Sequence, residues 1–186
     1  MDIEKREMKE ESKVLELINR RRSVRKYRDK PVEREKIIKM IEAARLAPSA
    51  SNGQPWRFFV VDSRDNVSKI VDSLGIINTW AKTAPAIIVG CSARKSVVHF
   101  IGEALKGVKY YLLDLGIAME HIVLAATEMG LSTCWIGWFD ERKIRKLLHI
   151  PTGWKVVSLL AVGYAEKNFK PRNKKTLSLE EILFFK

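Results

Sequence analysis

Helices packed around one central β-sheet, an α+β arrangement, is the fold class this sequence predicts, on three observations. Short apolar runs rich in β-branched and aromatic residues recur along the chain, as in "RFFVV" (57–61) and "AIIVGC" (86–91). Between them lie segments whose apolar residues fall at helical spacing, in an irregular order of helix and strand. One such segment, residues 109–130, is apolar on nearly every side, the mark of a helix buried in a core or between subunits.

Taken in order, Val14, Leu15, Leu17 and Ile18 share one helical face that ends near a run of arginines. Residues 33–47 place Ile37, Ile38, Ile41, Ala44 and Leu46 at helical spacing, and Pro48 ends that helix because the residue before proline is pushed out of the α region. After the first strand, "NVSKIVDSLG" predicts a short helix closed by Gly75, and "AIIVGC" the second strand. The long apolar helix is followed by "STCWIGWF", a strand entering a loop. Asp140 caps a helix running to about His149, broken by Pro151 and Gly153, and "KVVSLLAVGYA" is a further strand. The tail carries a capping box, Ser178-Leu179-Glu180-Glu181, that predicts a short terminal helix.

At 186 residues the chain is expected to form a single domain, with a charged extension over 1–11 and a C-terminal arm over 166–186. No apolar run reaches the ~18 residues of a membrane span, and "MDIEKREMKEESK" is no signal peptide, so a cytoplasmic location is expected. Cys91 and Cys134 stand far apart in apolar settings, form no metal pattern with His99, His121 or His149, and read as buried small hydrophobes. The net charge of +12 suits a polyanionic partner or a phosphorylated ligand, and equally a lysine-rich solvated surface. Most basic residues are interspersed with acidic ones; two concentrated runs remain, Arg20 to Arg22 with Arg25 and Lys26, and Lys170 to Lys175.

Four stretches could carry chemistry. "RRRSVRKY" (20–27) offers forked, charge-assisted donors suited to a phosphate, and alone is as well explained as a basic helix end favourable to the helix dipole. "RLAPSASNGQPWRFFVV" (45–61) stops a helix abruptly and leaves backbone amides uncovered ahead of a strand. Asn52-Gly53 would suit a hairpin turn, but no strand precedes it, and the plain alternative is a helix-to-strand loop. "GLSTCWIGWF" (130–139) is a Gly-flanked strand end whose Trp135 could lie over a planar ring or form an aromatic core edge. "NFKPRNKK" (168–175) is an extended basic arm or a solvated tail. No Ser-His-Asp order, paired carboxylates, HExxH, P-loop or GxGxxG is present, so an enzyme built on this chain would take its chemistry from a cofactor.

In combination and in this order, "RRSVRKY…APSASNGQPWRF…GLSTCWIGWFD…KPR" resembles the FMN-dependent nitroreductase family over about residues 12–182. The resemblance implies a nitroreductase-like fold with a central mixed sheet and an intertwined homodimer that exchanges terminal arms. Arg21, Arg22, Ser23 and Arg25 would hold the FMN phosphate and ribityl chain, with Lys170 and Arg172 reaching the same phosphate from the arm. Pro48, Ser49, Ala50, Asn52 and Gln54 would contact the isoalloxazine from the partner subunit, and Trp135, Ile136 and Gly137 would lie along its other side. It further implies NADH or NADPH as donor, ping-pong hydride transfer carried by the flavin with no catalytic side chain and no metal, and electron-poor acceptors such as nitroaromatics or quinones. Relatives of this fold also dehalogenate tyrosines or fragment reduced flavin; against that, the segment from Ser92 to Lys109 is short for a closing lid. A nucleic-acid-binding module is disfavoured because the basic residues line no single helix face; no membrane partner is expected.

Overall fold

The computed structural model of the chain describes residues 12–93, 105 and 107–186. The charged 1–11 extension and most of the short lid segment lie outside the described residues. The elements run α1 (Lys13–Arg20), α2 (Arg34–Arg45), β1 (Trp56–Val61), α3 (Arg64–Val71), β2 (Ala86–Ala93), α4 (Tyr110–Glu128), β3 (Ser132–Ile136), α5 (Glu141–Leu147) and β4 (Trp154–Gly163). Short 3-10 stretches at Ala50–Asn52 and Ile76–Thr83 complete the order. This is the α+β sequence of elements that the periodicities predict.

The strands lie in the order β1-β2-β4-β3, and all three pairings are antiparallel. The expectation of a mixed sheet is corrected here: among the described residues the parallel pairing is confined to the isolated bridge between Ser23 and Thr133. The reason is where each helical excursion returns. From β1 the chain runs out through α3 and back through Ile76–Thr83, so Val61 at the end of β1 pairs with Ile87 near the start of β2. Such an excursion behaves as a long hairpin, and its strands must run in opposite directions.

Helices cover both faces of the sheet. On one face Val67, Ile70, Leu74 and Ile144 pack on Ile87, Val89 and Leu159. On the other, Met40, Leu115, Met119 and Ile122 pack on Ile88, Leu160 and Val162. Burial on both faces explains why the central strands β2 and β4 are continuous apolar runs, whereas the edge strand β1 mixes buried and exposed positions. Register slips by one between Gly90 and Cys91, leaving Val157 of β4 without a partner on β2. That bulge reverses the alternation, so that Val156 joins the same face as Cys91. Both cysteines are buried, as their apolar settings predict. Burial pushes the Cys91 thiol up to about 12. Gly163 ends β4 where a Cβ would come within 2.5 Å of the Pro85 ring.

Among the described helices α4 alone is long and apolar enough to cross a membrane. Its Leu115, Ala118, Met119, Ile122 and Val123 are fully buried against the sheet and α2, while Leu112, Leu113 and Ile117 remain exposed. Asp140 caps α5 as expected, accepting bonds from the amides of Arg142 (3.0 Å) and Lys143 (3.3 Å). That helix stops at Leu147, with His149 in the left-handed region (φ 49°). The predicted terminal helix does not form. One half of its capping box is present, Ser178 N–H donating to Glu181 at 2.8 Å, but a single turn follows. Leu179, Ile182, Leu183, Phe184 and Phe185 are all exposed, and a lone turn without tertiary packing cannot propagate.

Candidate active site at the two sheet edges

The predicted site residues divide between the two edges of the sheet. At the β3 edge, α1 ends at Arg20, and its last carbonyls have no partner within the helix. Cations gather on them: Arg22 Nη1 donates to the Asn19 carbonyl and, at 2.9 Å, to that of Arg21. Lys174 Nζ donates to the Ile18 carbonyl at 2.6 Å. The chain then passes along β3, where Val24 N–H donates to the Thr133 carbonyl at 3.0 Å.

The C-terminal arm reaches this point because it runs antiparallel to residues 26–28. Tyr27 bridges Ala165, Arg28 N–H donates to the Tyr164 carbonyl at 2.8 Å, and Lys26 pairs with Glu166 at 3.0 Å. Basic groups from the two ends of the chain therefore do meet. The meeting residue is Lys174; Lys170 and Arg172 are exposed along the arm. Arg25 turns away, its guanidinium 5.8 Å from the Trp80 ring centroid.

The electrostatics of this corner are unbalanced. Glu120 of α4 is the carboxylate facing Arg21 and Lys174, with the Trp135 indole donating to it. Burial raises its pKa, and the nearby Arg21 only partly offsets this. Lys174 is shifted down, first by desolvation and then by Arg21 and Arg22, with Glu120 opposing. Three cations thus cluster here, and the half-buried Glu120 faces two of them, Arg21 and Lys174. The Nε of Arg22 is buried without a hydrogen-bond partner, a costly state for a charged donor unless an anion fills it. Beside the cluster, β3 is an edge strand, and strand alternation turns the Trp135 backbone to the same free edge as Thr133. Trp135 is exposed, Ile136 is buried, and a Cβ at Gly137 would meet nothing within 4 Å, so the strand end opens onto free space.

At the opposite edge, the loop before β1 is strained and tightly tied. Ser51 (φ 50°), Asn52 (φ 51°) and Gln54 (φ 43°) all occupy the left-handed region, which costs of order 1 kcal/mol or more for each non-glycine residue. Gly53 has φ −70°, so Asn52-Gly53 is no type I′ turn. Ser49 Oγ accepts the Gln54 amide at 3.0 Å, the Gln54 side chain donates to Asn52 Oδ1 at 2.9 Å, and Asp114 of α4 accepts the Ala50 amide at 2.9 Å. Pro48, Asn52 and Gln54 are exposed. Three strand steps, about 14 Å, separate the β1 and β3 edges, so one chain does not bring this loop to the basic cluster.

Lys174 and Glu120 are absent from the residues the sequence singles out for the site. Lys174 lies inside the flagged basic run, and only its position along the arm was hidden; Glu120 is a single acid on an otherwise greasy helix and gave no signal.

The described architecture is an α+β sheet flanked by helices, with Arg21, Arg22 and Lys174 brought together at the β3 edge. The Nitroreductase family description matches residues 18–79 and 68–164, and the chain belongs to that family. A provisionally named NADH dehydrogenase/NAD(P)H nitroreductase of Methanothermobacter thermautotrophicus is 37% identical over 160 residues, covering 83% of this chain and 78% of that one. The crystal structure of a nitroreductase family protein from Clostridium novyi NT superposes with a TM-score of 0.73 at 34% identity, over 83% of this chain and 86% of that one. An FMN-dependent nitroreductase from Clostridium difficile R20291 gives 0.76 at 28% identity, over 91% and 98%. The chain is accordingly an oxidoreductase with the nitroreductase fold.

Proposed function

We propose that this oxidoreductase holds FMN at the β3 edge, takes electrons from NADH or NADPH and passes them to electron-poor acceptors such as nitroaromatics or quinones. The observation that carries this reading is the buried, unpartnered Nε of Arg22 among converging cations. A phosphate monoester supplies the anion that such donors need. The name of the Clostridium difficile neighbour, an FMN-dependent nitroreductase, points to the same cofactor.

In this reading Arg21, Arg22 and Lys174 hold the phosphate, with Ser23 beside them and Lys170 and Arg172 adding to the local positive field. Trp135, Ile136 and Gly137 line one side of the ring. FMN, when bound, supplies the centre that accepts and returns a hydride. The chain's part is to bind, orient and polarise: cations around the site favour a cofactor that gains negative charge on reduction.

The loop of Pro48, Ser49, Ala50, Asn52 and Gln54 comes from the partner subunit of a homodimer. Three exposed apolar rows support that dimer: Val14, Leu15 and Ile18 on α1, Leu112, Leu113 and Ile117 on α4, and the apolar end of the arm. Uncovered rows of this kind mark association surfaces. The purified protein is expected to be a yellow dimer that releases FMN on heating and oxidises NADH or NADPH when a quinone is added. A colourless protein that takes up no FMN overturns the reading.

A further inference from the structure

Glu120 sits midway along the apolar helix α4, and the fold delivers three separate elements to it. The helix α1 packs on α4 and leads into Arg21 and Arg22. The strand β3 packs on α4 and brings the Trp135 indole, which donates to the carboxyl. The arm brings Lys174, tied to the Ile18 carbonyl at 2.6 Å. His121, the next residue of α4, is turned to α2, with Nδ1 3.0 Å from the Ala43 carbonyl, and its charge also favours the ionised acid. The half-buried carboxyl therefore faces Arg21 and Lys174, two of the side chains proposed to grip the phosphate, while the buried Nε of Arg22 stays unpartnered.

We propose that Glu120 is the chain's own counter-anion for this corner and takes up a proton from solvent when the phosphate of FMN enters it, so that cofactor loading is coupled to pH. The inference rests on the flavin reading of the corner and adds a mode of regulation to it. The cause is competition between two anions for one set of donors. Even with Arg21 and Lys174 facing it, burial already outweighs their attraction and raises the pKa of the acid. A phosphate that engages the N–H groups of these cations removes that attraction and sets further negative charge beside a half-buried carboxylate. Both changes favour the neutral acid. Protonation leaves the local bonding intact, because a neutral carboxyl keeps a carbonyl oxygen for the Trp135 indole and gains an O–H donor. Without FMN, the ionised acid offsets part of the repulsion among the cations; with FMN, the neutral acid no longer opposes the phosphate. The balanced event is one FMN dianion bound together with up to one proton.

The test counts protons bound per FMN, by calorimetric titration of the full-length apo-protein in two buffers of different ionisation enthalpy between pH 5 and 8. Glu120→Gln removes the charge and keeps an amide oxygen for the indole, and the ionisation of the phosphate itself is common to both proteins. At its maximum the wild type is expected to take up about half a proton more per FMN than Glu120→Gln, the excess that one pKa unit of coupling produces. Glu120→Gln should bind FMN about tenfold more tightly at pH 8 and match the wild type within twofold at pH 5. A purely structural role for Glu120 would instead weaken binding at every pH. Glu120→Asp, which restores a carboxyl, should restore the excess uptake. Equal uptake in wild type and Glu120→Gln, or weaker FMN binding by that variant at pH 8, overturns the coupling and leaves FMN binding standing. Should Glu120→Gln not fold, wild type labelled with 13C-glutamate decides. Loading it with FMN near pH 7 should produce a protonated-carboxyl infrared band that shifts in D2O, and absence of the band overturns the coupling. A wild type that takes up no FMN overturns the flavin reading itself, and shows as a flat titration before any variant is made.

Discussion

At the β1 edge, three left-handed residues are held in place by the chain itself, through Ser49, Asn52 and Asp114. At the β3 edge, Arg21, Arg22 and Lys174 crowd together, with the half-buried Glu120 facing Arg21 and Lys174, and a guanidinium nitrogen of Arg22 is left unpartnered. The first edge is organised before any ligand arrives, whereas the second is left electrostatically incomplete. The contrast teaches a division of labour: the loop offers a finished backbone surface, and the basic corner leaves cationic donor capacity unused within the chain.

The largest effect that sharpens this contrast is expected at the basic corner. Arg21→Ala with Lys174→Ala should weaken FMN binding by about 4 kcal/mol, roughly a thousandfold, for two charge-assisted contacts. The same change should leave the apo-protein as stable as before or more so. Arg21→Ala with Arg172→Ala should cost visibly less, because Lys174 is the arm residue that reaches α1. Titration of apo-protein with FMN decides between them, and equal losses would break the assignment.

A change between the edges serves as the reference. Gly163→Ala drives a Cβ into the Pro85 ring and within 3.0 Å of Tyr27, and should cost about 3 kcal/mol of stability. Denaturant unfolding should show that loss, and any local effect should fall on the β3 edge, which Gly163 adjoins through Ser132 and Tyr27, and spare the β1 edge. Asp114→Ala then tests the β1 edge alone. Loss of the acceptor for the Ala50 amide should cost about 2 kcal/mol and speed hydrogen exchange at Ala50, while the basic corner keeps its affinity.

The smallest effect is a pH dependence. The folded pKa of Glu120 is raised by burial, so the fold favours its protonated form. Its contribution to stability is fully present below the ordinary carboxylate pKa of about 4.3 and is lost as pH rises through the raised value. Thermal unfolding of the apo-protein against pH should therefore slope downward more steeply in the wild type than in Glu120→Gln. Coincident curves would remove the acid from the corner.

Much of this architecture was legible in the residues. The order of helices and strands followed from periodicity, and the cap at Asp140 from its side chain. The polarity of the sheet was not legible, because it depends on where the α3 excursion returns and no local pattern records that. The terminal helix does not follow from its capping box, which is local, because among the described residues no apolar surface buries Leu183 and Phe185. At the site, the two basic runs announced themselves as charge, yet the choice of Lys174 over Arg172 rests on how the arm pairs with residues 26–28. The strain at Ser51, Asn52 and Gln54 was equally hidden, since the glycine among these four positions, Gly53, is the one with an ordinary φ.

The route of the arm has a practical corollary. Residues 168–175 present lysines and an arginine to solvent on an extended backbone, which is the substrate a trypsin-like protease cuts most readily. Lys170 is shielded by Pro171, but cleavage after Arg172 would sever Lys174 from β4 while sparing the sheet, so the digestion rate of the arm offers a direct gauge of how fully the basic corner is occupied.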